Sequence, residues 1–225
     1  MEVRPCQAPR NCFVSITEFL ATINNSIVQG VTGPKSDIHV PSVVDQVNSF
    51  LSTHLDATEP CSTLTFLVAG INDAFFGGPA LNVRALTDSL VNNVKLLTMK
   101  GANSANHSVD QPNETFFCAG FRTFVLPQTQ PGELLPFLVL YSKTEAIAAQ
   151  KQFSEYFKGN LTLSLGAAYL PTDVKIHLLD LLNDLKVAIE EAEKKGLQPQ
   201  QPCLNGAYGE TSPRTLCDNP EEHVL

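Results

Sequence analysis

The chain has 225 residues, 43% of them hydrophobic, which is enough to bury one sizeable core. Its 15 basic and 23 acidic residues give a net charge of −8, and this acidic balance argues against nucleic acid or an anionic membrane surface as a partner. No apolar stretch approaches the ~18 residues of a membrane span, and residues 1–6 have no apolar signal-peptide core. We therefore expect a single α/β domain over residues 1–225 without a transmembrane segment.

Three helices and one strand are predicted by local patterns in the first half of the chain. One helix is predicted from Val14 to Ile23, and a second opens at Pro41. Leu64 to Ala69 is a continuous apolar run of strand length, as expected for a parallel strand covered on both faces. The third helix opens at Pro79 with a 3-4-4-3 spacing of apolar residues. The apolar positions of the helices that open at Pro41 and Pro79 are Val43, Val47, Phe50 and Leu51, and Val83, Leu86, Leu90, Val94 and Leu97.

The second half of the chain continues the alternation of strands and helices. Strands are predicted at Arg122–Leu126 and Val174–Leu178, and the connection Pro127–Phe137 is irregular. A long helical region runs from Thr144 to about Leu170. The last helix is ended by Gly196, and its apolar positions are Leu182, Leu185, Ile189 and Ala192. Strands that alternate with helices in this way predict a parallel sheet in a three-layer α/β/α sandwich.

The segment that carries the most chemical information is Gly70-Ile71-Asn72-Asp73, which directly follows the apolar run ending at Ala69. Open α/β sheets bind ligands at the carboxyl ends of their strands. An asparagine there can direct an amide N–H at a developing oxyanion, as acyl-transfer catalysis requires. Taken alone, a G-x-N-D tetrapeptide is more often an ordinary turn.

Five further segments accompany the G-x-N-D block along the chain. They are Asn25–Thr32, Val40–Leu51, Phe75–Gly77, Pro202–Leu204 and Cys217–His223. In this order they resemble a GDSL-type esterase or lipase of the SGNH hydrolase superfamily, most closely the secreted fungal acylhydrolases. The resemblance covers Glu18 to Leu225, and the G-x-N-D block is its most specific part.

The resemblance implies a fold, a site and a class of substrate. The implied strand order is flavodoxin-like, 2-1-3-4-5, with a short strand at Ser26–Gly30. The oxyanion hole would include the side chain of Asn72 and the backbone N–H of Gly30, which otherwise is a plain turn glycine beside Gly33. Asp73 would be a structural partner of the loop backbone. The implied substrates are carboxylic esters, either acyl lipids or acetylated polysaccharides, attacked by a serine that a histidine activates. No cofactor is implied, and the cysteine spacing has no zinc pattern.

Two of the family's defining blocks are missing. No G-D-S tripeptide occurs in the sequence, and nothing between Met1 and Phe19 has the pattern of a strand followed by one. The family's W-D-x-x-H-P-T block would follow His223, and the sequence stops at Leu225. We therefore expect a domain that is truncated at both ends and lacks its first strand, so that the sheet has a gap or pairs the wrong neighbours. Asp218 and His223 do not have the D-x-x-H spacing and are not expected to form a catalytic dyad.

Three interpretations of function remain. The favoured one is an ester-hydrolase fragment that is inactive as it stands. The alternative is a non-catalytic secreted descendant that binds glycan or lipid, and a split enzyme completed in trans is less favoured. Phe75 and Phe76 either line an acyl pocket or belong to the core, which is the commoner role. The remaining histidines have no paired carboxylate pattern and are expected to be ordinary: His39, His54, His107 and His177.

Cysteines and glycosylation motifs favour a secreted protein, which we expect to be monomeric. The cysteine count is even, at six, and four Asn-x-Ser/Thr motifs occur, at Asn24, Asn106, Asn113 and Asn160. Cys203 and Cys217 flank a polar loop that a disulfide can close, a constraint worth ~3 kcal/mol for a loop of about 15 residues. The family's equivalent loop also carries a disulfide. The sequence does not determine how the other four cysteines pair: Cys6, Cys12, Cys61 and Cys118.

Overall fold

The structure is a computed structural model that describes ten stretches of the chain. They are residues 13–15, 21–32, 37–53, 63–78, 80–100, 120–128, 131–134, 144–199, 203–205 and 215–222.

The described residues form five α-helices. They are α1 (Val43–Thr53), α2 (Ile71–Phe76), α3 (Val83–Lys100), α4 (Thr144–Gly166) and α5 (Leu181–Lys194). Short 3-10 helices lie at Gly132–Leu134 and Pro220–Glu222. The predictions of helices at α1, α3, α4 and α5 are confirmed. In α5 only Ile189 and Ala192 are buried, and Leu182 and Leu185 are half-buried. Gly196, with φ of +79°, follows the end of α5 in the left-handed conformation that glycine favours after a helix.

A parallel sheet of four strands forms the centre of the structure. The strands are β1 (Phe13–Ser15), β4 (Leu64–Phe66), β5 (Thr123–Pro127) and β6 (Lys175–Leu179), and their order in the sheet is β1-β4-β5-β6. The other described strands form two small antiparallel hairpins. In these, β2 (Val31–Thr32) pairs with β3 (Ile38–His39), and β7 (Leu204–Asn205) pairs with β8 (Thr215–Leu216).

Helices cover both faces of this sheet, so the predicted three-layer α/β/α architecture is confirmed. The helices α1, α3 and α4 each connect strands that are neighbours in the sheet, and right-handed connections place all three on one face. They pack side by side, α1 on α3 and α3 on α4. The helix α5 follows β6, and its buried residues Ile189 and Ala192 lie outside the main core. The largest fully buried side chains of the core include Phe50, Phe121, Phe124 and Phe157.

The two faces of β4 and its extension are covered to different extents. Thr65, Leu67 and Ala69 are buried beneath the layer of three helices. Leu64 and Phe66 face the other way and are only half-buried, and Val68 is 41% exposed. The prediction that both faces are covered is therefore correct for one face and only partly correct for the other.

The region before residue 32 differs from the prediction. Phe13–Ser15 form a strand parallel to β4, so the predicted helix Val14–Ile23 and the expected lack of a strand before Phe19 are both wrong. Residues 16–20 lie outside the described residues. The predicted strand Ser26–Gly30 is also wrong, because residues 25–27 form a turn and the next strand begins at Val31. The side chain of Asn24 stabilises this turn by accepting the backbone N–H of Ser26 at 2.9 Å.

The described sheet has one strand fewer than the five of the flavodoxin-like order. It contains no gap, because every neighbouring pair in β1-β4-β5-β6 is joined in register. Strand β1 lies directly beside β4, in the place where the flavodoxin-like order puts its first strand. The expected defect was either a gap in the sheet or pairing of the wrong neighbours. A gap is not seen among the described strands.

Candidate functional site

The G-x-N-D block forms a sharp turn from the sheet into a short helix. Gly70 has φ of +119°, a conformation that is accessible to glycine and strained for other residues. Helix α2 then begins at Ile71, which places Asn72 and Asp73 in its first turn at the carboxyl end of β4. The sequence analysis placed these residues at the strand end but missed the helix. Six residues are too few to show helical periodicity, so no sequence signal marked it.

Asn72 is buried, with 8% of its surface exposed, and its side-chain amide donates a hydrogen bond to a backbone carbonyl oxygen. Its Nδ2 donates to the backbone carbonyl oxygen of Ala21 at 3.3 Å. The separation of 51 residues between Ala21 and Asn72 is the same as that between paired residues of β1 and β4.

Asp73 links helix α2 to the segment that also contains Ala21. Its carboxylate is fully buried and accepts the backbone N–H of Ile23 with both oxygens, at 3.2 and 3.0 Å. Burial raises the pKa of Asp73 to about 7, against the opposing effect of the hydrogen bonds from the backbone N–H groups of Ile23 and of Asp73 itself. Asp73 thus has the expected role of a structural partner of loop backbone.

The backbone N–H of Gly30, the second predicted donor, is also occupied. It donates to Oδ1 of Asn25 at 3.0 Å, within the turn-containing segment from Ala21 to Gly30. Oγ1 of Thr22 lies 2.9 Å from Oδ1 of Asn25 and 3.0 Å from the carbonyl oxygen of Val28, so its single proton is shared between these two acceptors. Both predicted donors are thus bonded to acceptors of the Ala21–Gly30 segment, and the hydrogen bonds that Asn72, Asp73 and Gly30 make with this segment are called the network below.

The amide of Asn72 makes one hydrogen bond within this network. The bond between Asn72 and Ala21 is long, at 3.3 Å, and the amide of asparagine has two N–H donors. A net intramolecular hydrogen bond is worth only about 1 kcal/mol. The sequence analysis did not find Ala21 as a member of the site, because its role depends on Asn72, 51 positions away. It did not find Thr22 or Asn25 either, whose side chains bond within the turn of the Ala21–Gly30 segment.

The aromatic residues after Asp73 are not part of the core. Phe75 is 36% exposed and Phe76 is 42% exposed, whereas Ala74 between Asp73 and Phe75 packs against the core. The commoner role expected for the phenylalanine pair is therefore wrong. They lie on the surface of α2, next to the residues of the network.

The remaining candidate residues do not join this network. His39 and His177 are exposed, and in the described part of the chain neither has an ion pair with a carboxylate. Asp218 is exposed, and His54, His107 and His223 lie outside the described residues. A search of the described residues finds no group of three or more side chains that could hold a metal ion. Within the same residues, no helix is long and apolar enough to cross a membrane.

The predicted disulfide is confirmed, and two of the four glycosylation motifs lie in described regions. Cys203 and Cys217 are bonded, with their Cα atoms 4.7 Å apart. Nδ2 of Asn24 donates to the hydroxyl of Ser89 at 3.0 Å, and Nδ2 of Asn160, within α4, donates to the carbonyl oxygen of Tyr156 at 2.9 Å. The other motifs and cysteines lie outside the described residues: Asn106, Asn113, Cys6, Cys12, Cys61 and Cys118.

Comparison with known proteins does not extend this description. A scan against protein-family models gives no match, and a search of curated proteins gives no match either. Conclusions about function therefore depend on the residues of the site and on the motifs quoted above.

Proposed function

We propose that this chain carries the carbonyl-binding part of a carboxylic-ester hydrolase site of the SGNH type. In this proposal the amide of Asn72 donates a hydrogen bond to the carbonyl oxygen of the ester, and the backbone N–H of Gly30 is the second donor. The ester is an acyl lipid or an acetylated polysaccharide, no cofactor takes part, and the protein acts as a secreted monomer.

One observation carries the proposal. A buried carbonyl oxygen, that of Ala21, accepts from Nδ2 of Asn72 at the carboxyl end of β4. The same amide is thus available to a substrate carbonyl that takes the place of Ala21. The position at the end of a parallel strand supports the proposal, because ligands of open α/β sheets bind there.

The chemical step itself requires groups that the proposal does not assign. A serine hydrolase needs a nucleophile and a base that removes its proton, and no described serine–histidine pair lies in the network around Asn72. An oxyanion hole without these groups retains little catalysis. We therefore expect the 225-residue chain to bind the carbonyl group of an ester without hydrolysing it.

A specific observation favours the alternative, a non-catalytic binding protein derived from that family. Asn72 and Gly30 are both bonded to internal acceptors, Ala21 and Asn25. Donors that are bonded to internal acceptors are not preorganised for an oxyanion, because they must first be released.

Binding is tested with a methyl ketone, which has the carbonyl group of an ester and cannot be hydrolysed. With 2-octanone labelled with carbon-13 at its carbonyl, a hydrogen bond from the protein moves the carbonyl resonance downfield. We expect this displacement with the parent chain and its loss in Asn72→Ala. Asn93→Ala is the matched control, because Asn93 is also a buried asparagine, only 2% exposed, and lies on α3. Equal displacement in the parent and in Asn72→Ala would contradict the proposed role of Asn72.

Turnover is tested separately with p-nitrophenyl butyrate. We expect no release of p-nitrophenol above the buffer rate from the purified chain. Saturable turnover that persists in Asn72→Ala would show that the chemistry takes place elsewhere in the molecule.

A further inference from the structure

Two buried oxygen atoms near the carboxyl end of β5 have no hydrogen-bond partner in the described part of the chain. They are Oε2 of Glu133, in the short 3-10 helix Gly132–Leu134, and Oε1 of Gln150, in the second turn of α4. Gln150 is only 6% exposed, and Glu133 takes part in none of the ion pairs among the described residues. Buried acceptors in folded proteins are almost always bonded, so a partner other than the described residues is required.

Gly132 brings the two residues close together. A Cβ atom at Gly132 would lie 2.5 Å from Oε1 and 3.2 Å from Cδ of Gln150, so the amide of Gln150 lies against the backbone of Gly132. Glu133 is the next residue, and its Cα is only ~3.8 Å from that of Gly132. A carboxylate and an amide that each have an unbonded, buried oxygen therefore lie where the 3-10 helix packs against α4.

The chemistry of the two groups restricts the partner. Carboxylate and amide carbonyl oxygens are side-chain ligands that Ca²⁺ takes, and backbone carbonyls and water complete its shell of about six to eight oxygens. Mg²⁺ demands near-ideal octahedral geometry and is usually held by carboxylates and phosphates. The pair contains one carboxylate, so it differs from a group of three or more His, Cys, Asp or Glu side chains, which the described residues lack.

We propose that Glu133 and Gln150 bind a calcium ion that links the 3-10 helix after β5 to α4. The ion compensates the charge of a carboxylate whose Oε2 is buried, and water molecules complete its coordination. The site has a single negative charge, so we expect a Kd of about 10⁻⁴–10⁻³ M, as in weak extracellular calcium sites. This inference is independent of the proposed function.

Thermal unfolding in calcium chloride tests whether the folded chain binds the ion. Because the ion binds the folded state, we expect about 10 mM calcium chloride to raise the Tm of the parent chain by about 3–6 °C. Magnesium chloride at the same concentration is the control for the net charge of −8, since it screens that charge equally. An equal rise in Tm with both salts, or no rise with calcium, would overturn the proposal.

Three variants test where the ion binds, with Kd measured by calorimetric titration of calcium chloride. Glu133→Gln removes the charge and is expected to raise Kd by about tenfold or more, whereas Gln150→Glu adds a second carboxylate and is expected to lower it severalfold. Gly132→Ala is expected to raise Kd without removing a ligand, because the added methyl group displaces the amide of Gln150. The control is Glu145→Gln, since Glu145 is an exposed glutamate on α4.

The sign of the effect of Gln150→Glu distinguishes the ion from a hydrogen bond between the two side chains. If this variant lowers the Tm and calcium does not restore it, an amide N–H of Gln150 holds Glu133 and the calcium site is wrong. A Kd that is unchanged in Glu133→Gln and Gly132→Ala would also overturn the proposal, because the ion would then bind elsewhere. Circular dichroism without calcium establishes that each variant is folded, and Glu133→Gln preserves the shape of the side chain.

Discussion

At the scale of single residues, Asp73 is an acidic side chain in an environment that disfavours its charge, because it is fully buried. Its carboxyl group is fully buried, and its bonds within the described part of the chain are to backbone N–H groups rather than to a cation. Burial raises its pKa to about 7, whereas an aspartate in an unfolded chain has a pKa near ~3.9. The folded protein therefore holds this proton more tightly than the unfolded protein does.

This difference makes stability depend on pH in a direction that can be worked out. The contribution of Asp73 to the free energy of unfolding is fully present below about pH 4 and is lost as the pH rises through about 7. We expect the Tm of the parent chain to fall between about pH 4 and pH 7 relative to that of Asp73→Asn, whose amide oxygen can still accept the N–H of Ile23. The control is Asp184→Asn on the exposed side of α5. Parallel curves for the parent and Asp73→Asn would contradict the shifted pKa.

At the scale of elements, two buried threonines differ in whether their hydroxyl groups form hydrogen bonds. Thr65 lies in the middle of β4 with a fully buried hydroxyl group that has no hydrogen-bond partner among the described residues. Thr22 is equally buried, and its hydroxyl bonds to both Val28 and Asn25 within the Ala21–Gly30 segment. Strand β4 thus contains an unsatisfied polar group, while the segment at the candidate site depends on a satisfied one.

Replacing each threonine by valine tests this contrast. Valine has a similar shape without the hydroxyl, so Thr65→Val removes a buried unsatisfied group and is expected to raise the free energy of unfolding by about 1 kcal/mol. Thr22→Val removes a bonded hydroxyl and leaves its acceptors short of a donor, with an expected loss of about 1–3 kcal/mol. Urea unfolding measures both. A loss of stability in Thr65→Val similar to that in Thr22→Val would contradict the assignment of an unpaired hydroxyl in β4.

At the scale of the whole molecule, the disulfide between Cys203 and Cys217 constrains the hairpin of β7 and β8. The two cysteines are 14 residues apart. Closing a loop of about 15 residues in the unfolded chain is worth ~3 kcal/mol in the chain-entropy description. The backbone N–H of Cys217 also donates to the carbonyl oxygen of Cys203 at 2.6 Å, so the covalent link and the hairpin support each other.

We expect the double variant Cys203→Ser/Cys217→Ser to lose about 3 kcal/mol of unfolding free energy. Reduction of the parent chain should produce a comparable loss, while the double variant should respond to the reductant only through its other cysteines. Peptide mapping of the parent chain, produced in a secretory host, under non-reducing conditions checks the pairing directly. Recovery of peptides that link either cysteine to a different partner would contradict it.

The sequence by itself determined the elements whose signal is local. The apolar stripes of α1, α3 and α5 have the helical period, because one face of each helix must be buried. The apolar run from Leu64 to Ala69 predicted β4, and the glycine after it placed Asn72 and Asp73 at the carboxyl end of a strand. The alternation of strands and helices was sufficient to predict the three-layer α/β/α sandwich. Cys203 and Cys217 were recognised from the loop that they flank.

Only the tertiary structure decided the neighbours of these elements. Strand β1 has three residues, and its conformation depends on parallel pairing with β4, which is 51 residues away, so no local pattern identified it. The acceptors for Asn72 and Gly30 come from the Ala21–Gly30 segment, which also supplies the backbone N–H that Asp73 accepts. The exposure of Phe75 and Phe76 likewise depends on how α2 sits on the sheet. The periodicity of apolar residues specifies which side chains face inward. The partner that an inward-facing group contacts is determined by long-range pairing, and the chemistry of this site depends on those partners.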